Sequence, residues 1–537
     1  MAATNQTDAK PKRKRPAKRK SAAKGAASGA SSTLLYQGSE WSFDQVQKVY
    51  DAIEEIGVGE MGLDIYPNQI EVITSEQMLD AYSSIGMPLL YRHWSFGKRF
   101  AHEETAYRRG ARALAYELVI NSNPCINYIM EENSMTMQTL VLAHAAMGHN
   151  HFFKNNYLFQ QWTRADAILD YLDFAKAYVA KCEERYGIDA VEQILDWSHA
   201  LMSHGVNRYV GPRKRGGRED ARAKQLARLE YEEQNYDDLW RTVPKATNDA
   251  DRGRSAREPN DLGLPEENLL YFVEKHAPKL ADWQRELVRI VRSLSQYLHP
   301  QRQTKVMNEG CATFVHYEIM NTLYDRGRIG EGEMLEFLHS HSSVVFQPTF
   351  KDRRFGGLNP YALGFAMMND IKRMAEHPTQ EDKDWFPDLA GCGDALGALK
   401  AAWADFRDES FIHQYLSPKV IRDFRLFALD DDAEDSEMEV SAIHDDAGYR
   451  NVRRRLAGQY DAAALDPSIE IIEANLSSNR RLVLCHTVRE ERLLDKAECE
   501  RTLQCLANLW GHRVKLLEVC SETQDVLVEH DALPRPL

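Results

Sequence analysis

Apolar residues recur every three or four positions through most of this 537-residue chain, and this helical spacing constrains its fold most strongly. The pattern is clear after Ser42, which we expect to cap the first helix. It runs through residues 34–210, where it includes Leu118 and Val119 and is interrupted by a weakly alternating edge strand at 64–73. It returns over residues 266–418, where we expect Pro300 to stop one helix. These segments predict the two halves of a large helical body, so we expect a mainly α protein.

The last part of the chain, residues 419–537, has a different pattern. Short segments that alternate apolar and polar residues with a period of two predict strands, and amphipathic helices at 447–460 and 496–510 lie between them. The predicted order β-α-β-β-α-β is that of the ferredoxin-like fold. We therefore expect a small α+β domain with a regulatory or docking role at this end.

Two further segments do not have the composition of a folded core. Residues 1–33 carry nine Lys and Arg and a single acid, a charge of +8, while the whole chain has a net charge of −14. This composition predicts a disordered basic tail, which either contacts a polyanion such as RNA, DNA or acidic lipid or simply keeps the chain soluble. Residues 211–265 alternate acidic and basic blocks and predict a charged insertion or linker.

Composition and the absence of several motifs exclude some functional classes. The chain has no run of 18 apolar residues and no apolar leader, so we expect no transmembrane segment and a cytoplasmic location. Its eight cysteines form no CxxC pair, as is usual for buried thiols in a reducing compartment. It also lacks GxGxxG, Walker, GxSxG and HExxH motifs, which argues against nucleotide binding by those loops and against a serine hydrolase.

Two polar segments inside apolar helices are the strongest candidates for a functional site. The first carries His144, His149 and His151. Residues five apart on a regular α-helix differ by about 140° around the axis, which is too wide for easy chelation. A bulge or a tightened turn at Gly148 would bring the first two imidazoles together.

The second segment carries Glu309 and His316, which are seven residues apart and share one helix face about 10 Å apart. Imidazole and carboxylate ligands suit Zn, Mn or Fe(II), so the two segments together predict a metal site. The alternative is that each histidine is a hydrogen-bonded core residue. The carboxylates of Glu103 and Glu117 either orient one of these imidazoles or lie on a solvated helix face.

Three stretches of the chain resemble the SpoVR family, the stage V sporulation protein R-like proteins. They are residues 121–125, 148–156 and 305–310, and the resemblance extends over about 34–529. It implies a cytoplasmic protein linked with spore cortex formation in organisms that sporulate, and with stress and stationary phase elsewhere. The family also implies two partners, a PrkA-like serine kinase and the protein associated with that kinase.

The two polar segments are also similar to the zinc-binding helices of gluzincin peptidases. In those enzymes a helix ending His-x-x-x-His-x-x-Phe meets a downstream helix Asn-Glu-Gly-x-Ala-x-Phe. The similarity implies a divalent metal, with Zn as the candidate, and the ligands His144, His149 and Glu309. The alternate ligands are His316 and His151.

This chain departs from the gluzincin pattern in two respects. Its two histidines are one residue further apart, and the position of the general base after the first histidine holds Ala145. Ordinary peptide hydrolysis would therefore need a replacement catalytic base, for which Glu103 and His316 are the candidates. The leading hypothesis is a metal-dependent, hydrolase-like SpoVR protein. The alternative is a non-enzymatic scaffold or regulator that works with the kinase and its partner protein.

Overall fold

A computed structural model describes residues 34–208 and 264–535 of the chain. Within these ranges the following positions are not described: 85, 86, 88, 109–116, 350, 351, 427, 431–438, 443, 444, 462–464, 477, 490 and 491. The basic tail at 1–33 and almost all of the insertion at 211–265 lie outside the described residues and stay predictions. In the described part, no helix combines the length and apolar character that crossing a membrane requires.

The first half of the helical body surrounds a small sheet. Its helices are α1 (Phe43–Glu54), α2 (Ser75–Ser83), α3 (Trp94–Arg108), α4 (Met135–Leu142), α5 (Asn150–Asn155), α6 (Tyr157–Trp162), α7 (Ile168–Tyr186) and α8 (Ile188–His199). A π-helix (Glu55–Glu60) extends α1, a second one (Ala143–His149, the π segment) joins α4 to α5, and a 3₁₀ turn (Met202–His204) follows α8. The strands are β1 (Asn68–Ile73), β2 (Glu117–Ile120) and β3 (Cys125–Met130).

The second half is helical until it reaches the C-terminal sheet. Its helices are α9 (Leu269–His276), α10 (Asp282–Gln303), α11 (Lys305–Asp325), α12 (Glu331–Val344), α13 (Pro360–Glu376), α14 (Gln380–Trp385), α15 (Ala395–Asp405), α16 (Asp408–Tyr415) and α17 (Pro418–Asp423). The C-terminal elements are β4 (Ala428–Asp430), β5 (Glu439–Ala442), α18 (Asp446–Gln459), β6 (Ile469–Ala474), β7 (Leu482–Val488), α19 (Lys496–Trp510), β8 (Val514–Cys520) and β9 (Val526–Ala532).

The mainly α architecture with a small C-terminal α+β domain is confirmed, and Ser42 caps α1 as expected. Two local predictions are wrong. Leu118 and Val119, interpreted as helical, lie in β2 of a sheet with the order β1-β3-β2, in which β1 is the edge strand expected near 64–73. Pro300, expected to stop a helix, lies inside α10. Short apolar runs fit a buried strand as well as a helix, which explains the first error.

The strand order of the C-terminal domain corrects the ferredoxin-like prediction. Its main sheet has the order β6-β7-β8-β9, while β4 and β5 pair separately. Strands β7 and β8 are parallel neighbours joined through α19, whereas the split arrangement of the ferredoxin-like fold places another strand between them. The sequence predicts strands and two helices here, but which strands pair depends on tertiary contacts.

Two apolar cores organise the described residues. The first contains the π segment together with α11 and α13. The second contains α8, α9 and α10 and continues into the C-terminal sheet and α19. The C-terminal sheet therefore packs on the helical body through a shared core.

Close backbone contacts hold the helices of the first core together. A Cβ atom added to Gly364 on α13 would lie 2.7 Å from Gly310 Cα on α11, a distance that real Cβ atoms do not show. Likewise, a Cβ atom on Gly148 in the π segment would collide with the backbone of Ala312. These glycines let α11 approach both neighbours, because a larger residue would force the backbones apart.

We predict that Gly364→Ala lowers the free energy of unfolding by about 1–3 kcal/mol, because the new methyl group overpacks the contact with α11. Chemical denaturation measures this change. The matched control is Gly332→Ala, whose added Cβ meets no atom within 4 Å and which should leave stability unchanged or slightly increased. Equal effects of the two substitutions would contradict this account of the packing.

Candidate metal centre

The π segment brings His144 and His149 to the same side of their helix. A π-helix closes its hydrogen bonds between residues i and i+5, so residues five apart face the same way. The imidazole ring centroids of these residues lie 4.6 Å apart at an interplanar angle of 90°. These histidines are one residue further apart than in the gluzincin pattern, and the wider turn of the π-helix accommodates that residue. The sequence suggested a bulge or a tightened turn at this place.

Helix α11 presents Glu309 to these two histidines. The buried Asp408 holds the start of this helix, because its carboxylate accepts hydrogen bonds from the amides of Val306 (2.9 Å) and Met307 (2.8 Å). These amides lie in the first turn of α11 and have no partner within the helix. Asp408 therefore fixes the end of α11 from which the Glu309 side chain projects.

The imidazoles of the π segment converge with two carboxylates. His144 Nε2 lies 3.7 Å from Glu117 Oε1 and 3.8 Å from Glu309 Oε2. His149 Nε2 lies 3.6 Å from Glu309 Oε2. Among the described residues, Glu117, His144 and His149 also form a group whose potential ligand atoms all lie within 4.8 Å of one another.

Hydrogen bonds fix the orientation of both imidazoles. His149 Nδ1 lies 2.9 Å from Asn308 Oδ1 and donates to it, so its Nε2 lone pair faces Glu309. His144 Nδ1 lies 2.9 Å from His316 Nδ1, so its Nε2 also faces the carboxylates. Both Nε2 atoms are therefore directed to one point, as metal ligation by histidine requires.

Within the part of the chain that the structure describes, two of the converging atoms are buried without a hydrogen-bond partner. These are His144 Nε2 and Glu309 Oε2, which lie too far apart to bond each other. Buried polar atoms without partners are costly, and a bound ion or water is a common reason for them. The opening of the site is on the carboxylate side, because the side chains of Glu117 and Glu309 retain 16% and 18% exposure and that of His144 only 4%.

The electrostatics of this cluster favour a cation. Burial alone would lower the pKa of His144, but the carboxylates of Glu309 and Glu117 outweigh burial and raise it. Burial alone would raise the pKa of Glu309, yet its interactions with His144 and His149 lower it. Burial, together with the charge of His144, lowers the pKa of His149 to about 4, so this imidazole is neutral and can donate its lone pair.

Glu117 and Tyr361 complete the wall of the site. Burial raises the pKa of Glu117, and the neighbouring carboxylate of Glu309 adds to this effect. The Tyr361 hydroxyl lies near the Glu309 carboxylate and contributes to lowering its pKa, and the Tyr361 ring stacks on that of His144 at a centroid distance of 6.3 Å. The cluster thus contains the Glu117 carboxyl group, whose pKa is raised, and the Tyr361 hydroxyl group, which can donate a hydrogen bond.

The remaining predicted site residues are His316, His151 and Glu103, and the first two do not join the converging imidazoles and carboxylates. His316 lies behind His144, and its Nε2 is 2.9 Å from His341 Nδ1, so both ring nitrogens of His316 have imidazole partners. His151 lies outside the cluster, because its Nδ1 is 3.0 Å from both the amide and the carbonyl of Asp64. Glu103 lies in α3, and its side chain is outside the described part of the structure.

Sequence reasoning missed Tyr361, Asn308 and His341 as members of this site and placed Glu117 on a helix. Asn308 precedes Glu309 in the polar segment, so its position could have been noticed. Nothing in the local sequence marks Tyr361 or His341, because α13 and α12 reach the site only through tertiary packing. The position of Glu117 in the site was missed because the segment that forms β2 had been interpreted as helical.

We predict that Asp408 makes stability depend on pH. Burial raises its pKa to about 7, although the amides of α11 oppose this. In the unfolded chain the group titrates near 3.8, so the folded state binds more protons between these values. Its contribution to stability therefore decreases as pH rises from about 4 to 7, by up to about 1.4 kcal/mol per pH unit.

Urea unfolding at several pH values, comparing wild type with Asp408→Asn, measures this dependence. The Asn variant cannot ionise, so its stability should fall less than that of the wild type over this range. Identical pH profiles for the two proteins would contradict the raised pKa.

Comparison with known proteins identifies the family of this chain. The family described as SpoVR like protein matches residues 40–465, and the SpoVR-like C-terminal domain matches residues 467–521. A relative from Escherichia coli (strain K12), called Uncharacterized protein YcgB, is 53% identical over 485 residues, which cover 90% of this chain and 94% of the relative. No solved structure matches the chain. The match over nearly the whole described length shows that this chain belongs to the SpoVR family.

Proposed function

We propose that this SpoVR protein binds a divalent metal ion, with Zn²⁺ as the leading candidate, and uses it in hydrolase-like chemistry. The observation that carries the proposal is a pair of buried atoms, His144 Nε2 and Glu309 Oε2, which have no hydrogen-bond partner among the described residues and face the same point as His149 Nε2. A cation at this point would give every one of these atoms a partner. We assign His144, His149 and Glu309 as the ligands.

The spacing of these atoms supports a metal of this kind. Tetrahedral ligands about 2.0–2.1 Å from Zn²⁺ lie roughly 3.3 Å from one another. The observed separations from Glu309 Oε2, 3.8 Å to His144 Nε2 and 3.6 Å to His149 Nε2, are only slightly larger. Three protein ligands leave a coordination position for water, whose pKa a bound Zn²⁺ lowers to about 7.

We assign the role of general base to Glu117, because no carboxylate follows His144 and the next residue is Ala145. Glu117 reaches the cluster from β2, on the partly exposed side where substrate and water would enter. Its raised pKa brings the carboxyl group closer to the neutral range in which a general base works best. In this scheme Tyr361 can donate a hydrogen bond to a substrate oxygen, and His316 holds the tautomer of His144.

The first prediction from this proposal concerns metal content. The purified wild type, loaded with Zn²⁺ and freed of excess ion, should retain about one equivalent per chain by mass spectrometry of the metal. His149→Ala and Glu309→Gln should each retain little, because each removes a ligand. His151→Gln is the matched control, since it changes a buried histidine two residues away that contacts Asp64 and not the cluster. Full metal retention by both ligand variants would refute the site.

The second prediction concerns Glu117. If it is the base, Glu117→Gln should retain the metal but lose at least about 100-fold of any metal-dependent hydrolysis. A mixture of unstructured peptides, followed by mass spectrometry, is the first substrate pool to test. Loss of metal from Glu117→Gln would show that Glu117 is a metal ligand and not the base. Absence of metal-dependent cleavage by the wild type would count against peptide hydrolysis.

A second candidate function is a non-enzymatic scaffold or regulator that works with a PrkA-like serine kinase and the protein associated with it. Ala145 at the usual base position favours this candidate. The two functions differ in their dependence on the cluster. A scaffold should capture the kinase equally well after the combined substitution His144→Ala, His149→Ala and Glu309→Ala, provided that circular dichroism shows a folded protein.

We further propose a cytoplasmic role in stress, stationary phase or envelope physiology, which the family resemblance supports. The basic tail at 1–33 is a candidate polyanion contact that lies outside the described residues. If it acts in this way, deleting it should remove salt-sensitive binding to RNA, DNA or anionic vesicles.

A further inference from the structure

A cavity of about 230 Å³ lies where the helical body meets the C-terminal sheet. Its wall is mostly apolar and includes Leu201, Leu269, Ile469, Leu484, Leu506 and Leu516. Leu201 and Leu269 belong to the body, whereas the other four belong to the C-terminal strands and α19. A molecule bound here would therefore contact both parts of the protein at once.

Few polar groups in this cavity are free to recognise a ligand. The Asp495 carboxylate accepts the amide of Glu498, and the Glu498 carboxylate pairs with Arg501, so both acids are engaged. In the described part of the chain, neither ring nitrogen of His204 has a hydrogen-bond partner, and the Thr502 hydroxyl has none. Burial lowers the pKa of His204 to about 4, so this imidazole is neutral at physiological pH.

The size and character of the cavity limit what it can hold. An apolar cavity of about 150 Å³ accommodates benzene, so 230 Å³ has room for about nine non-hydrogen atoms. An apolar wall disfavours a charged molecule, because burying a charge without a counter-charge is costly. A neutral imidazole instead suits one uncharged hydrogen-bonding group.

We propose that this cavity is a binding site for a small, uncharged and largely apolar molecule that makes one hydrogen bond to His204. The site lies in the second core, whereas the metal cluster lies in the first, and the proposal does not depend on metal binding. Because the molecule would touch both the body and the C-terminal sheet, its binding would stabilise their association.

Indole and indene are suitable probes, since both have nine non-hydrogen atoms and only indole carries an N–H group. Isothermal titration calorimetry of the full-length protein should show saturable binding of indole and about tenfold weaker binding of indene, because indene cannot make the hydrogen bond. In His204→Phe, which keeps an aromatic ring but no ring nitrogen, the two compounds should bind equally.

A second pair of variants locates the binding. Thr502→Trp should abolish indole binding, because its ring fills the cavity from the rim. Glu500→Trp is the matched control, since this exposed residue of the same helix does not line the cavity and its substitution should leave binding unchanged. Circular dichroism and the thermal transition verify that both variants fold. No saturable binding of indole to the wild type, or unchanged binding to folded Thr502→Trp, would overturn the proposal.

Discussion

The close approach of α11 to the π segment and to α13 is the contact on which the candidate site depends. Gly148 meets Ala312 on one side of α11, and Gly310 meets Gly364 on the other, each with backbones nearly in contact. This packing brings Glu309 within reach of two imidazoles that lie more than 150 residues away in sequence. Small residues are required at these positions because any side chain would increase the separation of the helices and of the ligand atoms.

The cost of burying polar groups explains the arrangement around this contact. The cluster places carboxylates and imidazoles in a largely buried site, where groups that are cut off from solvent must be paired or neutral. Asn308, His316 and His341 provide such pairing on the outer side of the imidazoles. On the inner side, His144 Nε2 and Glu309 Oε2 have no hydrogen-bond partner among the described residues, which is the basis of the proposed cation site. This distribution differs from that of a structural histidine cluster, in which every ring nitrogen has a partner.

The candidate site and the cavity near His204 occupy different cores. The candidate metal site lies in the first core, among the π segment and α11, while the cavity lies in the second, against the C-terminal sheet. The shared second core gives the C-terminal sheet a fixed position on the body. A ligand in the cavity would thus act on the association of the two parts, separately from any chemistry at the candidate metal site.

The amino-acid sequence alone determined the mainly α class, the change of pattern near residue 419 and the polar segments that carry His144, His149 and Glu309. These follow from local periodicity and residue chemistry, which need no knowledge of distant contacts. It did not reveal that β2 is a strand, how the C-terminal strands pair, or that Glu117 and Tyr361 join the cluster. Only the tertiary structure decided these features, because strand pairing and site convergence depend on long-range packing. The same packing selected a π-helix at 143–149, where local spacing alone left the two imidazoles about 140° apart.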